Sequence, residues 1–390
     1  MPSSLPNTRY AAGLLLSLVT LLVGCGDESP PLRCYMAGTG LPCGPDVDAG
    51  RRDAGPEPDT GPEPDWPDAG PPPPEWDPRV EVHRVAPRTV KAVAPIPGED
   101  AWLVVGDSRG LERLEIEGDE MVLTELADTP DGVDEIAVDP SAGLAYVGAI
   151  GGARVDAFDL ETGEPAFEVA LEDDGFSVPR LSRLVALDGL LFAGTTAGGE
   201  VQMYRRETHV DSVQVSRPGL GRIMPVWMHA LDEETLAIGG NYEAALLTFG
   251  DFGVSILWSH ARDVHRGDPI SERIRESRQG ERLLGMGGGL FAIANEGFSK
   301  LGDCETAGAP MLVGDQALFV RVERDGWGGN TYRWLDRCDL ETFELGEPLR
   351  FGLVPRSYSP PTGLLPVDES GTAFLVWKRD DFVELIRLRE

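Results

Sequence analysis

From Arg79 to the C-terminus the chain alternates short apolar runs with polar turns rich in Gly, Asp and Pro. The runs favour Val, Leu, Ile and aromatic side chains, are bounded by turn residues, and are too short for helices. No apolar period of 3.6 residues persists over a dozen positions. The segment 270–283 (ISERIRESRQGERL) comes nearest, and its apolar positions are too few to make one face. The pattern predicts an all-β domain over 79–390.

One run recurs along that domain. It reads AWLVVG at 101–106, LAYVG at 144–148, LLFAG at 190–194, TLAIG at 235–239 and ERLLG at 281–285. The closing residues Gly106, Gly148, Gly194, Gly239 and Gly285 stand 42 to 46 positions apart by subtraction. ALFV at 317–320 and AFLVW at 373–377 repeat the run without its glycine. That period is the length of a four-stranded propeller blade. In the second unit, 133–139 reads as the inner strand, then 143–150, 154–160, and 166–171 as the outer strand. The first unit parses likewise over 90–127. Small residues in the second strand suit the crowded middle of a sheet. The last unit shows three strands, near 363–367, 372–378 and 382–388. VEVHRV at 80–85 supplies the missing outer strand, closing a ring by pairing the two ends of the chain and removing exposed edges. Seven blades is the preferred reading. Six or eight blades, or a two-domain β-sandwich, are the alternatives.

Within the second unit, AFDLETGEPAF at 157–167 resembles the repeat of YVTN/quinoprotein-like propellers; WD40-like repeats share the blade length. In the quinoprotein-like repeat an Ala-x-Asp-x-x-Thr-Gly turn precedes a docking tryptophan, and Phe167 stands at that position here. A fainter copy, CDLETF at 338–343, replaces the glycine with Phe343. The resemblance implies a tight turn in which Asp159 and Thr162 bond the local backbone and Gly163 takes a positive φ. It extends to a quinone cofactor only where ligands for the cofactor and its metal exist, and the sequence identifies none.

The N-terminus has a different character. Arg9 precedes an apolar stretch over 11–24, shorter than the roughly 20 residues a spanning helix needs. The stretch ends in Leu22, Val23, Gly24 and Cys25, which is similar to the lipobox of bacterial lipoproteins. The resemblance implies a signal peptide over 1–24 and acylation of Cys25, palmitate included, with two or more acyl chains giving a stable anchor. An ordinary signal peptide that contains a cysteine is the alternative. Residues 25–78 then form a linker. Between Pro45 and Pro78 it holds 11 prolines and almost nothing apolar, so ordering entropy goes uncompensated and the segment is expected to be disordered. In polyproline geometry, at about 3.1 Å per residue, it would reach about 100 Å. Trp66 and Trp76 are unusual in such a linker.

Charge narrows the partners. With 34 Lys+Arg against 66 Asp+Glu, the net is −32, which disfavours nucleic acid and anionic lipid surfaces. Besides Cys25 there are four cysteines, an even number suited to an exported, oxidised chain. Of the three connectivities, Cys34–Cys43 and Cys304–Cys338 are preferred, because the linker separates the two pairs. Free buried thiols are the other reading.

Chemistry is sparse. His83, His209, His229, His260 and His265 show no metal-ligand spacing; His260 and His265 read as loop residues. The glycine run at 285–289 lacks the Lys-Ser/Thr of a phosphate loop and reads as a tight turn. Asp128, Asp131 and Asp134 offer carboxylates to calcium, without the EF-hand pattern. The stretch 324–334, with Trp327, Tyr332 and Trp334 among arginines, is the candidate recognition loop, since Trp, Tyr and Arg dominate contact anchors; packing of Tyr332 and Trp334 into the core is the competing reading. The preferred function is a lipid-anchored binding or scaffolding module at the outer membrane, on its periplasmic face or the cell surface. An unidentified envelope protein or glycan would be its partner, with no cofactor identified. The alternatives are a propeller-type extracellular enzyme (lactonase, glycosidase or lyase) and a quinone-binding redox protein.

Overall fold

The computed structural model describes residues 76–84, 89–106, 110–118, 120–173, 178–196, 199–217, 221–222, 225–240, 244–259, 277–285, 287–294, 297–324, 331–353 and 361–389. Cys25, Cys34, Cys43, Trp66, His260, His265, Trp327, residues 1–24 and almost all of the expected linker lie outside them.

Seven four-stranded antiparallel sheets follow one another along the chain, each meandering from first to fourth strand. Blade one is Val90–Pro95, Ala101–Gly106, Gly110–Glu117 and Glu120–Asp128. Blade two is Glu135–Asp139, Leu144–Gly148, Arg154–Asp159 and Pro165–Ala170, and blade three Leu181–Leu187, Leu190–Thr195, Glu200–Arg205 and Thr208–Gln214. Blade four is Trp227–Ala230, Thr235–Gly239, Ala244–Gly250 and Gly253–Ser259. Blade five is Ser277–Gln279, Arg282–Leu284, Gly289–Ala294 and Gly297–Asp303, and blade six Ala309–Val313, Gln316–Arg324, Thr331–Asp339 and Leu349–Leu353. Blade seven takes Gly363–Pro366, Ala373–Lys378 and Phe382–Leu388 from the C-terminus and its outer strand, Val80–Arg84, from the start of the domain. The expected closure is present, with Val80 opposite Leu388 and Arg84 opposite Glu384.

Packing against the ring begins slightly before the expected boundary at residue 79. The Asp77 amide donates to the Arg350 carbonyl (3.0 Å), and Asp77 holds Arg79 at 2.7 Å. A two-stranded ribbon, Ser216–Arg217 with Gly221–Arg222, precedes blade four and was not anticipated. No α-helix occurs among the described residues; Ser277–Gln279 and Arg282–Leu284, at the end of the most helix-like segment, are strands.

The hydrophobic core is partitioned into seven clusters, one per seam between neighbouring blades. This division follows from strand periodicity. Alternate side chains point to opposite faces, so a blade buried on both faces supplies one set to each neighbour. The repeat glycines mark these seams. A Cβ on Gly148 would lie 2.5 Å from Leu181 of blade three, and one on Gly194 would lie 2.7 Å from Met228 of blade four. The seam between blades four and five has the smallest cluster among the described residues: Trp227, Ala237, Ala244, Leu246, Leu283, Phe291 and Ile293.

The two Asp-x-x-Thr turns adopt the expected hydrogen bonding. Asp159 Oδ1 accepts the amides of Glu161 (3.0 Å) and Thr162 (2.8 Å), and Gly163 sits at φ +72°. The backbone amide and hydroxyl of Thr162 hold the Asp159 carboxyl below the usual carboxylate range. Asp339 repeats this with Glu341 and Thr342 (both 2.9 Å), although Phe343 takes the glycine's place at φ +58°. The Phe343 ring lies on Gly302 of blade five, where a Cβ would fall 2.1 Å from Cζ. Phe167, at the docking position, meets Tyr146 edge-on at 6.2 Å and carries the Arg206 guanidinium of blade three over its ring at 5.3 Å. The glycine run at 285–289 is the expected turn, with the Gly288 amide donating to the Gly285 carbonyl (3.0 Å).

Candidate ligand-binding channel

First strands of successive blades pack on one another from blade one to blade four and from blade five to blade seven, so they ring the axis. They enclose a cavity of about 430 Å³. Most of its wall is apolar: Pro95, Leu184, Trp227, Met228, Leu364, Leu365, Pro366 and Trp377. The two indoles are set by close backbone approach. Trp227 lies over Gly239 and Trp377 over Gly363, where a Cβ would come within 2.2 and 2.7 Å of the rings.

The polar lining comprises Glu135, Arg183, His229 and Arg278, from blades two, three, four and five. Glu135 and Arg183, side chains 2% and 7% exposed, form an ion pair at 3.1 Å, and Arg183 Nε donates to the Val226 carbonyl. His229 stands beside Trp227 with ring centroids 5.8 Å apart. Arg278 crosses the seam between blades four and five. Its Nη1 donates to the Ala230 carbonyl, Nη2 to the Leu231 carbonyl (2.6 Å) and Nε to the Gly280 carbonyl (2.8 Å). Burial pulls the Arg278 guanidinium below its usual range, opposed by the charge of Asp232. A second cavity of about 370 Å³ lies between blades four and five and shares Arg278 as a wall.

Sequence reasoning named none of these channel residues as site residues, although His229 was among the histidines weighed. The residues named instead stand elsewhere. Tyr332 and Trp334 belong to the third strand of blade six rather than to a loop. Two residues apart on a strand, they share one face, and arginines cover them. The Arg350 guanidinium lies 3.4 Å from the Tyr332 ring centre, and Arg321 lies 5.2 Å from that of Trp334. Tyr332 is only 5% exposed, in keeping with the packing reading.

Cys304 follows the outer strand of blade five, Cys338 lies on blade six, and they form a disulfide with Cα atoms 6.0 Å apart in the seam between them. The Asp128–Asp134 turn does not converge on a cation. Asp134 accepts the Ile150 amide (2.5 Å) and pairs with Arg379. Among the described residues, no three His, Cys, Asp or Glu side chains gather as a metal-ligand group.

No family model and no curated protein matches this chain in sequence. Solved structures do match in fold. The WD40 β-propeller domain of Doa1 aligns with a TM-score of 0.50 at 10% identity, over 78% of this chain and 96% of that one. The structure of U3-55K and the RRP9 WD40 repeats each align with a TM-score of 0.50 at 11% identity, over 80% of this chain and 98% of theirs. At these identities the likeness establishes a WD40-like propeller fold and nothing about the ligand.

Proposed function

We propose that the chain is a lipid-anchored cell-envelope protein whose propeller is a binding module with its ligand site in the axial cavity. The observation that carries the binding reading is the make-up of that cavity. Apolar and indole walls enclose a few polar groups, the usual constitution of a small-molecule site. The described lining contains one carboxylate, Glu135, and Arg183 already holds it. General acid–base chemistry of the glycosidase kind needs a second carboxylate opposite the first. The lipobox at 22–25 and the proline-rich linker support the anchor, and the acidic composition suits an externally facing protein.

Two measurements test the proposal. Labelled palmitate is expected in the wild-type chain and not in Cys25→Ser, with only the wild type sedimenting with outer membrane; equal behaviour of the two would remove the anchor. Native mass spectrometry of the full chain, released gently from its own envelope, is expected to show a retained organic molecule. A clean apo mass, together with no tryptophan fluorescence change on adding envelope extract, would remove the binding reading.

A further inference from the structure

We infer that the ligand of the axial cavity is a small monoanion, a carboxylate carried on an apolar or aromatic body. This rests on the cavity being a binding site at all.

Charge balance in the cavity lining favours an anion. Across the chain acids outnumber bases 66 to 34, yet the described cavity lining carries two guanidinium groups, Arg183 and Arg278, and one carboxylate, Glu135. Glu135 and Arg183 neutralise each other at 3.1 Å. Among the described residues Arg278 has no carboxylate at hydrogen-bonding distance; its three bonds all go to backbone carbonyls. Asp232 acts on it only through space. A guanidinium has five N–H donors. Three are spent on Gly280, Ala230 and Leu231, which leaves two on a side chain that walls the cavity.

A partly desolvated cation with spare donors is stabilised most by an anion brought into the same low-dielectric space. A carboxylate matches the planar fork of the guanidinium in geometry as well as charge. With Glu135 and Arg183 paired, Arg278 is the one uncompensated guanidinium of the described lining, so a single negative charge balances it and a dianion would leave one in excess. The remainder of the ligand meets Trp227, Trp377 and Leu364, so it is apolar or aromatic. A volume of about 430 Å³ admits a molecule of fragment to drug size and excludes a folded protein segment.

The test uses the full chain in detergent and three probes of similar shape: phenylacetate, 2-phenylethanol and phenethylamine. Binding is followed by indole fluorescence and calorimetry. Phenylacetate is expected to bind at least tenfold tighter than the alcohol, and the amine not at all. Arg278→Gln should reduce phenylacetate affinity at least tenfold and leave the alcohol unchanged. Arg278→Lys, which keeps the charge, should retain part of the preference and serves where the glutamine variant is unstable. Equal binding of acid and alcohol would overturn the monoanion while leaving the binding module standing. If no probe binds although native mass spectrometry shows a retained molecule, the carboxylate inference again falls alone. No probe bound and no retained molecule would overturn both.

Discussion

A single methyl group on Gly302 tests how neighbouring blades are fitted together. Phe343 sits at φ +58°, a conformation that costs a non-glycine residue roughly 1–2 kcal/mol. Its half-buried ring repays that by covering Gly302 and packing beside Cys304 and Cys338. In Gly302→Ala the new Cβ falls 2.1 Å from the ring, so ring or strand must shift, at an overpacking cost of about 1–3 kcal/mol. Phe343→Gly removes the ring and the backbone strain together; lost burial and relieved strain are of similar size, so the net change should be within about 1 kcal/mol. Alanine at 302 should then cost almost nothing, because the atom it met is gone. The cycle therefore predicts a coupling of about 1–3 kcal/mol between the two positions. For a domain of roughly 300 residues, 2 kcal/mol corresponds to a melting shift of roughly 3 °C. Scanning fluorimetry of the four proteins with the disulfide intact reads this directly. An equal cost of Gly302→Ala in both backgrounds would show that the ring does not set the seam.

Other expectations follow from single contacts. Replacing both Cys304 and Cys338 by Ala removes a crosslink spanning 34 residues and should cost about 3–4 kcal/mol in chemical denaturation; a change under 1 kcal/mol would contradict the chain-entropy reasoning. The Tyr146 hydroxyl is buried with no hydrogen-bond partner, whereas that of Tyr204 donates to Gln202 (2.6 Å) and accepts the Glu172 amide (2.9 Å). Tyr146→Phe should thus be neutral or stabilising, and Tyr204→Phe should cost about 1–2 kcal/mol, with reversed signs refuting the assignment. Burial pushes both phenols up to about 12. Since these folded pKa values lie above the unfolded value near 10, the stability they contribute is complete below about pH 10 and is lost between about pH 10 and 12. Ultraviolet titration should show two late phenols, and stability should fall in that same window. Finally, Gly253–Ser259 is the one outer strand of the seven without a charged residue, and Ile256 and Leu257 within it and Phe252 just before it are exposed. Ile256→Lys should leave the melting temperature within about 1 °C and lower light scattering in concentrated solution; unchanged scattering would mean that this edge does not drive association.

Much of the ring was legible because it repeats. Gly148 and Gly194 recur since the second strand of one blade meets Leu181 or Met228 of the next, and that crowding is imposed at the same point of each unit. The lone strand near residue 80 was assigned from a deficit, the missing fourth strand of blade seven. The channel was not legible, because Glu135, Arg183, His229 and Arg278 each come from a different blade and their sequence spacing carries no signal of proximity. Tyr332 and Trp334 were ambiguous for a related reason. Aromatic and basic residues mark contact surfaces and arginine-covered strands equally well, and only the neighbouring strand's Arg350 and the second strand's Arg321 distinguish them. The room for the Phe343 ring was hidden too, since Gly302, which leaves it, sits in the preceding blade.

The closure strand also bears on when the domain can fold. Val80–Arg84 is the first strand of the domain to be synthesised, and its partner Phe382–Leu388 is almost the last. The Arg389 amide then donates to the Arg79 carbonyl at 2.8 Å, sealing the two ends. Until those final residues are available, blade seven lacks two of its four strands and the seams on either side of it stay open. During synthesis the ring therefore stays incomplete until Phe382–Leu388 emerges. Deleting residues 384–388 would remove the partner of Val80–Arg84 and unpair both ends of the ring at once.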